Sequence, residues 1–357
     1  MKRKLVSLFA VAAMTASLLS GCGSAADSAK GDTAAADKPA AEAEAPKAEA
    51  EASAPADADA ASYKIAVVPK MTNIGWFQRM EEGVNAYNEA NGTDYVYRGS
   101  AEGADQAGIV EQMLAEDWDA ICVVPFDSES LAPVLEKARQ QGIVVITHEA
   151  ASMDPKYFDY DIEAFVNEDY GTHFAEKLSE LCNKEGKYIQ FVGDLNSVSH
   201  NQWCDAADKY FAANTKMEKI GRYETGDDTT SSYDQTKELL QAHPDIVAIE
   251  GSASTDVVGA AQAVDELGLT GKVAVVGTSL TSIAKNYVDK GVIATFSVWD
   301  PAKAGQAMIE LALKKLKGEE PTGLNVEGYE TLTPDGTVLY GNARVDIDKS
   351  NMDQYNF

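Results

Sequence analysis

Basic residues are scarce in this chain: 30 lysines and arginines stand against 57 aspartates and glutamates, for a formal net charge of −27. Nucleic acid is a polyanion held by clusters of Lys and Arg, so the charge balance excludes a nucleic-acid partner. An anionic membrane face repels the chain for the same reason. Cysteine is also rare, with four in 357 residues, too few for a disulfide-dense secreted scaffold. Only four histidines occur, widely scattered, and His148-Glu149 lacks the second histidine that zinc requires. No GxSxG, HExxH, P-loop or GxGxxG stretch is present, which argues against an enzyme and against a bound cofactor or metal. Apolar residues are plentiful by contrast, at 45% hydrophobic. That is enough for two sizeable cores, and the length suggests about two domains at roughly 150 residues each.

The address is written in residues 1–22. Lys2, Arg3 and Lys4 form a positive start, and residues 5–19 are apolar. That run is too short for an ordinary spanning helix and ends in Leu19-Ser20-Gly21-Cys22. This ending resembles the lipobox of bacterial lipoproteins, which implies removal of residues 1–21 and acylation of Cys22. Two acyl chains anchor stably where one does not. Residues 23–61 hold 18 Ala, nine Asp or Glu and three Lys, with no aromatic residue. Such a segment cannot bury enough apolar surface to offset its ordering entropy, and Pro39, Pro46 and Pro55 interrupt any helix. Residues 22–61 are therefore expected to be an acylated, disordered tether.

From Tyr63 onward short apolar runs alternate with helical patterns. Strands are expected at 64–69, 95–97, 119–125 and 143–147, and helices at 77–91, 105–115 and 130–140. The pattern restarts with a strand at 164–166. Strands then fall at 187–192, 222–224, 246–250, 273–276 and 292–298, with helices at 170–182, 202–214, 233–241, 255–267 and 282–290. A long amphipathic helix covers 302–317, and the tail holds the turn Pro334-Asp335-Gly336. Strand–helix alternation implies parallel sheets with right-handed crossovers. The expected fold class is α/β, with two Rossmann-like lobes. Residues 62–167 plus 301–319 are assigned to the first lobe, and 168–300 plus 320–357 to the second. Three crossovers near Glu168, Trp299 and Glu320 would form the hinge.

Ligands of parallel α/β sheets sit at the carboxyl ends of strands. Those positions hold Lys70, Trp76, His148, Glu149, Asp194, His200, Ser252, Ser254, Thr278, Ser279, Trp299 and Asp300. Two facing rims of this kind make a cleft of hydrogen-bonding groups and flat rings, which is the chemistry of a sugar site. Lys70 ends an apolar strand and needs a partner if buried; Glu149 can supply it, the alternative being a surface lysine. His148 and Glu149 can bind adjacent hydroxyls or form an interlobe polar pair. Ser199, His200, Asn201 and Gln202 open a helix, and His200 either donates to ligand or satisfies backbone. Trp76, Phe77 and Trp299 can sandwich a ring or belong to the core. The Ser252-to-Ser254 loop offers hydroxyls, Ser279 another, and each can also cap a helix. Cys122 reads as a buried small hydrophobe, and pairing of Cys182 with Cys204 stays open. Asp159-Tyr160-Asp161 lacks the Gly and Glu of a calcium loop and reads as a solvated turn.

Several short stretches carry a family resemblance. They are Ile65-Ala66-Val67-Val68-Pro69-Lys70, Gly75-Trp76-Phe77, Asn201-Gln202-Trp203, Gly259-Ala260-Ala261-Gln262-Ala263 and Trp299-Asp300. In this order, over residues 63–318, the chain resembles the type I ("Venus flytrap") periplasmic sugar-binding proteins of ABC importers. It is nearest the branch of autoinducer-2-binding and rhamnose-binding proteins. The resemblance implies a three-strand hinge, a small sugar or sugar-like ligand, and an ABC permease with its ATPase as partners. It also implies a monomer on the extracytoplasmic face of the membrane. The branch's lysine after the first strand falls on Lys70, and its aspartate after the fourth strand falls on Glu149. Its Asp-Gln pair is replaced by Ser199 and His200, and its Pro and Ala by Ser252 and Ser254. Sensing with a chemoreceptor or histidine kinase, and autoinducer-2 binding, stay open as alternatives.

Overall fold

The computed structural model describes residues 60–357. The leader, Cys22 and nearly all of the tether lie outside the described residues. In the first lobe, β1 (Ile65–Val68), β2 (Val96–Tyr97), β3 (Ala120–Val123), β4 (Val144–His148) and β5 (Tyr160–Glu163) are joined by β11 (Thr333–Asp335) and β12 (Val338–Tyr340). The sheet order is β11-β12-β5-β4-β3-β1-β2, parallel apart from the β11–β12 hairpin. Strands β1 and β3 are buried on both faces because helices cover both sides. Ile65, Val67 and Cys122 face α1 (Gly75–Asn91) and α9 (Pro301–Lys317). Ala66, Val68 and Val123 face α2 (Gln106–Met113) and α3 (Ser128–Gln140). The alternation is the two-residue period of a strand. Helices α1 and α9 approach at backbone distance: a Cβ on Gly83 would lie 2.3 Å from the Ala302 carbonyl oxygen.

The second lobe is built the same way. Strands β6 (Glu185–Val192), β7 (Lys216–Glu224), β8 (Ile246–Gly251) and β9 (Ala274–Gly277) form a parallel sheet of order β7-β6-β8-β9. A bridge from Thr278 to Ser297 leads to β10 (Phe296–Val298), which pairs antiparallel with β13 (Val345–Ile347). Helices α4 (Asn167–Leu181), α5 (Val198–Asn214), α6 (Thr229–Ala242), α7 (Ser254–Glu266) and α8 (Thr281–Asp289) pack around it.

Three parts differ from the expected layout. The strand expected at 164–166 lies instead at Tyr160–Glu163. Its Asp161 is fully buried rather than a solvated turn residue, because Thr147 and the Ala150 amide donate to it. Residues 333–340 belong to the first lobe, not the second, since β12 pairs with β5 in parallel. The third crossover therefore runs through 341–344, between β12 and β13, rather than near Glu320. Residue Glu168 lies inside α4, so the first crossover is 164–166. Cys122, Cys182 and Cys204 are all free.

Candidate functional site

Strand ends of both lobes converge on one cavity. The first lobe supplies Lys70 after β1, Trp76 and Phe77 from the first turn of α1, and Glu149 after β4. The second lobe supplies His200 from the first turn of α5, Ser252 after β8 and Ser254 at the start of α7. Trp299, at the crossover after β10, closes the wall. Ile74, Asp227, Ala253 and Thr278 complete it.

The charged centre is the Lys70–Glu149 pair, with Nζ 2.6 Å from Oε2 and both side chains 4% exposed. Burial alone would depress the Lys70 pKa, but the Glu149 carboxylate, with Asp227 and Glu163 beyond it, outweighs burial and holds it above the usual value. Glu149 sits at φ 61°, a left-handed backbone that a non-glycine residue adopts only when its surroundings impose it. Two buried carboxyls of β5 do so: Asp161 accepts from the Ala150 amide and Glu163 from the Ala151 amide. Burial, with Asp161 alongside, pushes the Glu163 carboxyl well above the usual range.

The lobes meet across this centre. The Ser199 hydroxyl lies 3.4 Å from the Glu149 carbonyl, and Ser128 donates to the Asn196 carbonyl. The His200 Nδ1 accepts from the Gly193 amide at 3.1 Å, which leaves the proton on Nε2. Burial, then Lys70, pushes the His200 pKa well below the usual value. Nε2, 3.5 Å from the Lys70 Nζ, is therefore a second donor beside an ammonium rather than an acceptor for it. The His200 N–H calls for an acceptor between the lobes.

Trp299 is 2% exposed and anchors an aromatic cluster: its ring centroid lies 4.5 Å from Trp76 and 5.1 Å from Phe165, both edge-on. Its indole N–H donates to Nε2 of His148, whose Nδ1 donates to the Ile162 carbonyl. His148 is thus spent on positioning Trp299, outside the cavity wall. Other expected site residues also face elsewhere. Asp300 caps α9 through the Ala302 amide and takes a bidentate pair from Arg79. Asn201 bonds the Leu195 and Ser197 carbonyls and Arg222. Gln202 accepts from Asn167 in the α4–α5 seam. The Ser279 hydroxyl donates to the Ser254 carbonyl. Helix α7 is capped by Asp256, which accepts from the Ala253 amide and Thr225. The serine hydroxyls of that loop are not needed as caps.

Asp227 is the residue that strand-end reasoning missed. It follows β7 in a Thr225-Gly226-Asp227-Asp228 turn, 4% exposed and at φ 54°. Burial raises its carboxyl to about 6 against the opposing pull of Lys70. Among the described residues no group of His, Cys, Asp and Glu is placed to hold a metal ion. The cavity offers donors, acceptors and ring faces, the means of binding a polyhydroxylated molecule.

Residues 65–320 match the model of the periplasmic binding protein domain. The chain belongs to the periplasmic binding protein family. It is 30% identical over 285 residues to a D-ribose/D-allose-binding protein of Pseudomonas aeruginosa, covering 72% of this chain and 83% of that one. It is 26% identical over 260 residues to the D-allose-binding periplasmic protein of Escherichia coli, covering 70% and 84%. Among solved structures, LsrB from Clostridium saccharobutylicum in complex with AI-2 superposes with a TM-score of 0.75 at 21% identity, covering 82% of this chain and all of that one. A solute-binding protein from Clostridium phytofermentas with bound L-rhamnose gives a TM-score of 0.73 at 21% identity, covering 82% and 98%. These two share the two-lobed fold. The family's members are extracytoplasmic solute-binding proteins, not enzymes, and no helix among the described residues is long and apolar enough to cross a membrane.

Proposed function

We propose that this protein captures a small sugar or sugar-like polyol outside the cytoplasm and delivers it to an ABC permease. It is held at the membrane through Cys22 and acts as a monomer on its tether. The observation that carries this reading is the cavity between the facing strand ends, walled by both lobes, with a buried Lys70–Glu149 pair beside Trp76, Phe77 and Trp299. The D-ribose/D-allose and D-allose specificities of its relatives support the sugar class.

The cavity contacts from the two lobes coexist only when the lobes are closed. A ligand that needs both walls therefore shifts the population toward closure, which the permease can read. Moving such an equilibrium from 1:99 to 99:1 takes a preference of about 5.5 kcal/mol for the closed state. Hydrogen bonds to charged groups stabilise by about 1.5–3 kcal/mol each, so two or three with Lys70 and Glu149, with a neutral one from His200, suffice.

A thermal-shift screen of the purified protein tests this. Probes are D-allose, D-ribose, other pentoses and hexoses, deoxysugars, polyols and autoinducer-2. A ligand bound only by the folded state raises the melting temperature by mass action. The expected result is a clear rise with one sugar class. A protein shown ligand-free by mass spectrometry that responds to no probe would contradict the proposal.

A further inference from the structure

Among the described residues that line the cavity, Asp227 alone has a buried side-chain oxygen, Oδ1, without a hydrogen-bond partner. An unmet buried carboxylate is costly, and the surrounding backbone is shaped to hold it there. Gly193 faces it: a Cβ on that residue would lie 2.0 Å from Oδ1, so any side chain there would displace the carboxylate. The turn is tied down on both sides, by the Gly226 amide on the Gly193 carbonyl at 2.8 Å and by Asp228 accepting from the Ser231 amide at 2.7 Å. The left-handed backbone at Asp227 completes a preorganised turn.

The only lysine or arginine among the described cavity-lining residues is Lys70, and it is already 2.6 Å from Glu149. The other groups near Asp227 add no cation. His200 presents an N–H donor, and Asp194 and Glu149 are acidic. The cavity thus carries one negative charge that its own wall does not balance.

We infer that Asp227 is the specificity-determining acceptor of the second lobe. It takes a hydrogen bond from a ligand hydroxyl, and its unbalanced charge restricts the site to neutral polyhydroxy ligands against their carboxylate and phosphate derivatives. This rests on the sugar-binding reading. A second anion at contact distance in a partly desolvated site is disfavoured by about a hundredfold or more. Loss of a hydrogen bond to a charged acceptor weakens binding by about ten- to a hundredfold.

The test is isothermal titration of the purified protein with matched pairs: D-glucose and D-glucuronate, D-galactose and D-galacturonate, D-ribose and D-ribose 5-phosphate, with D-allose alongside. Asp227→Asn is titrated in parallel. Asn tolerates the left-handed backbone and removes a buried charge, so its ligand-free melting temperature should be no lower than that of the wild type. The expected result is binding of a neutral member only, weakened at least about tenfold in Asp227→Asn. The residual preference for neutral over anionic partner should shrink in the variant, which mere steric exclusion would not produce. Equal binding of an anionic partner by the wild type would overturn the inference. So would unchanged neutral-sugar affinity and discrimination in Asp227→Asn, and both results would leave the sugar-binding reading standing. No binding of any probe would overturn both.

Discussion

The two walls of the cavity solve opposite problems. The first lobe's wall is satisfied without a ligand: Lys70 and Glu149 neutralise each other, and Asp161 and Glu163 hold the loop that carries Glu149. The second lobe's wall is left wanting. Asp227 has an unmet oxygen, and the His200 Nε2 donor faces an ammonium. The difference teaches where recognition energy comes from. A self-paired wall is a stable platform, and an unpaired wall gains most when a ligand arrives. Closure is then favoured because the ligand meets the second lobe's demands only when the first lobe is near.

The largest effect should come from breaking the platform. Lys70→Ala leaves Glu149 as a lone buried carboxylate, and removing one partner of such a pair costs about 3–5 kcal/mol. Chemical denaturation should show that loss together with abolished sugar binding. Replacing both, Lys70→Met with Glu149→Leu, should restore most of the stability and none of the binding. If the double variant stays as unstable as the single one, the pair is not the self-contained unit described.

Next comes the keystone of the other wall. Gly193→Ala forces a Cβ against Asp227, and overpacking of this kind costs about 1–3 kcal/mol. Titration should show sugar affinity falling at least as far as in Asp227→Asn. Retention of wild-type affinity would mean that Asp227 can move freely, against the preorganised turn.

A third effect is pH-dependent and opposite in sign for stability and for binding. Burial raises Glu250 to about 8, despite a hydrogen bond from Gln190, and Asp256 to about 7. Between the ordinary carboxyl range and those values the folded state binds more protons than the unfolded one. Ligand-free stability should therefore rise as pH falls from 8 to 6.5. Below 6.5 His200, held well below its usual value, works the other way. Sugar affinity should instead fall as pH drops through about 6, where Asp227 takes a proton. Lys70, Glu149, Asp194 and Asp256 share its surroundings, and Lys70 stays charged throughout. Melting temperatures and titrations across pH 5–8 would separate the two trends.

The smallest effect belongs to Asn201→Ala. That side chain serves the α5 start and Arg222, so affinity should stay within about twofold of the wild type, with stability lower by about 1 kcal/mol.

How legible the site was depended on how each strand advertises itself. Strands β1, β3 and β4 are continuous apolar runs, so their ends, and with them Lys70 and Glu149, were visible in the sequence. Ser252, Ser254 and Trp299 were visible for the same reason. Asp227 was not, because β7 is an edge strand of mostly exposed or half-buried residues whose pattern blurs into the following turn. A Gly-Asp-Asp turn before a helix also reads as an ordinary cap, and Asp228 is one. Asp161 reads as solvated in the sequence because the strand that buries it is short and charged. Asp300 and His148 stand at strand ends too, but their bonds run to α9 and to Trp299. Position alone cannot distinguish a residue that faces the ligand from one that holds its neighbour. In the tail, β13 joins the second lobe as expected, but β11 and β12 join the first, because three-residue strands carry no signal of which sheet they join.

The most direct test is titration of a sugar identified in the screen into the wild type and into Glu149→Gln. That variant keeps the side chain's size but leaves Lys70 without its countercharge. One site per chain in the wild type, with affinity lost in the variant, is the result expected if the ligand sits between the lobes. Unchanged affinity in Glu149→Gln would place the sugar elsewhere and contradict the account.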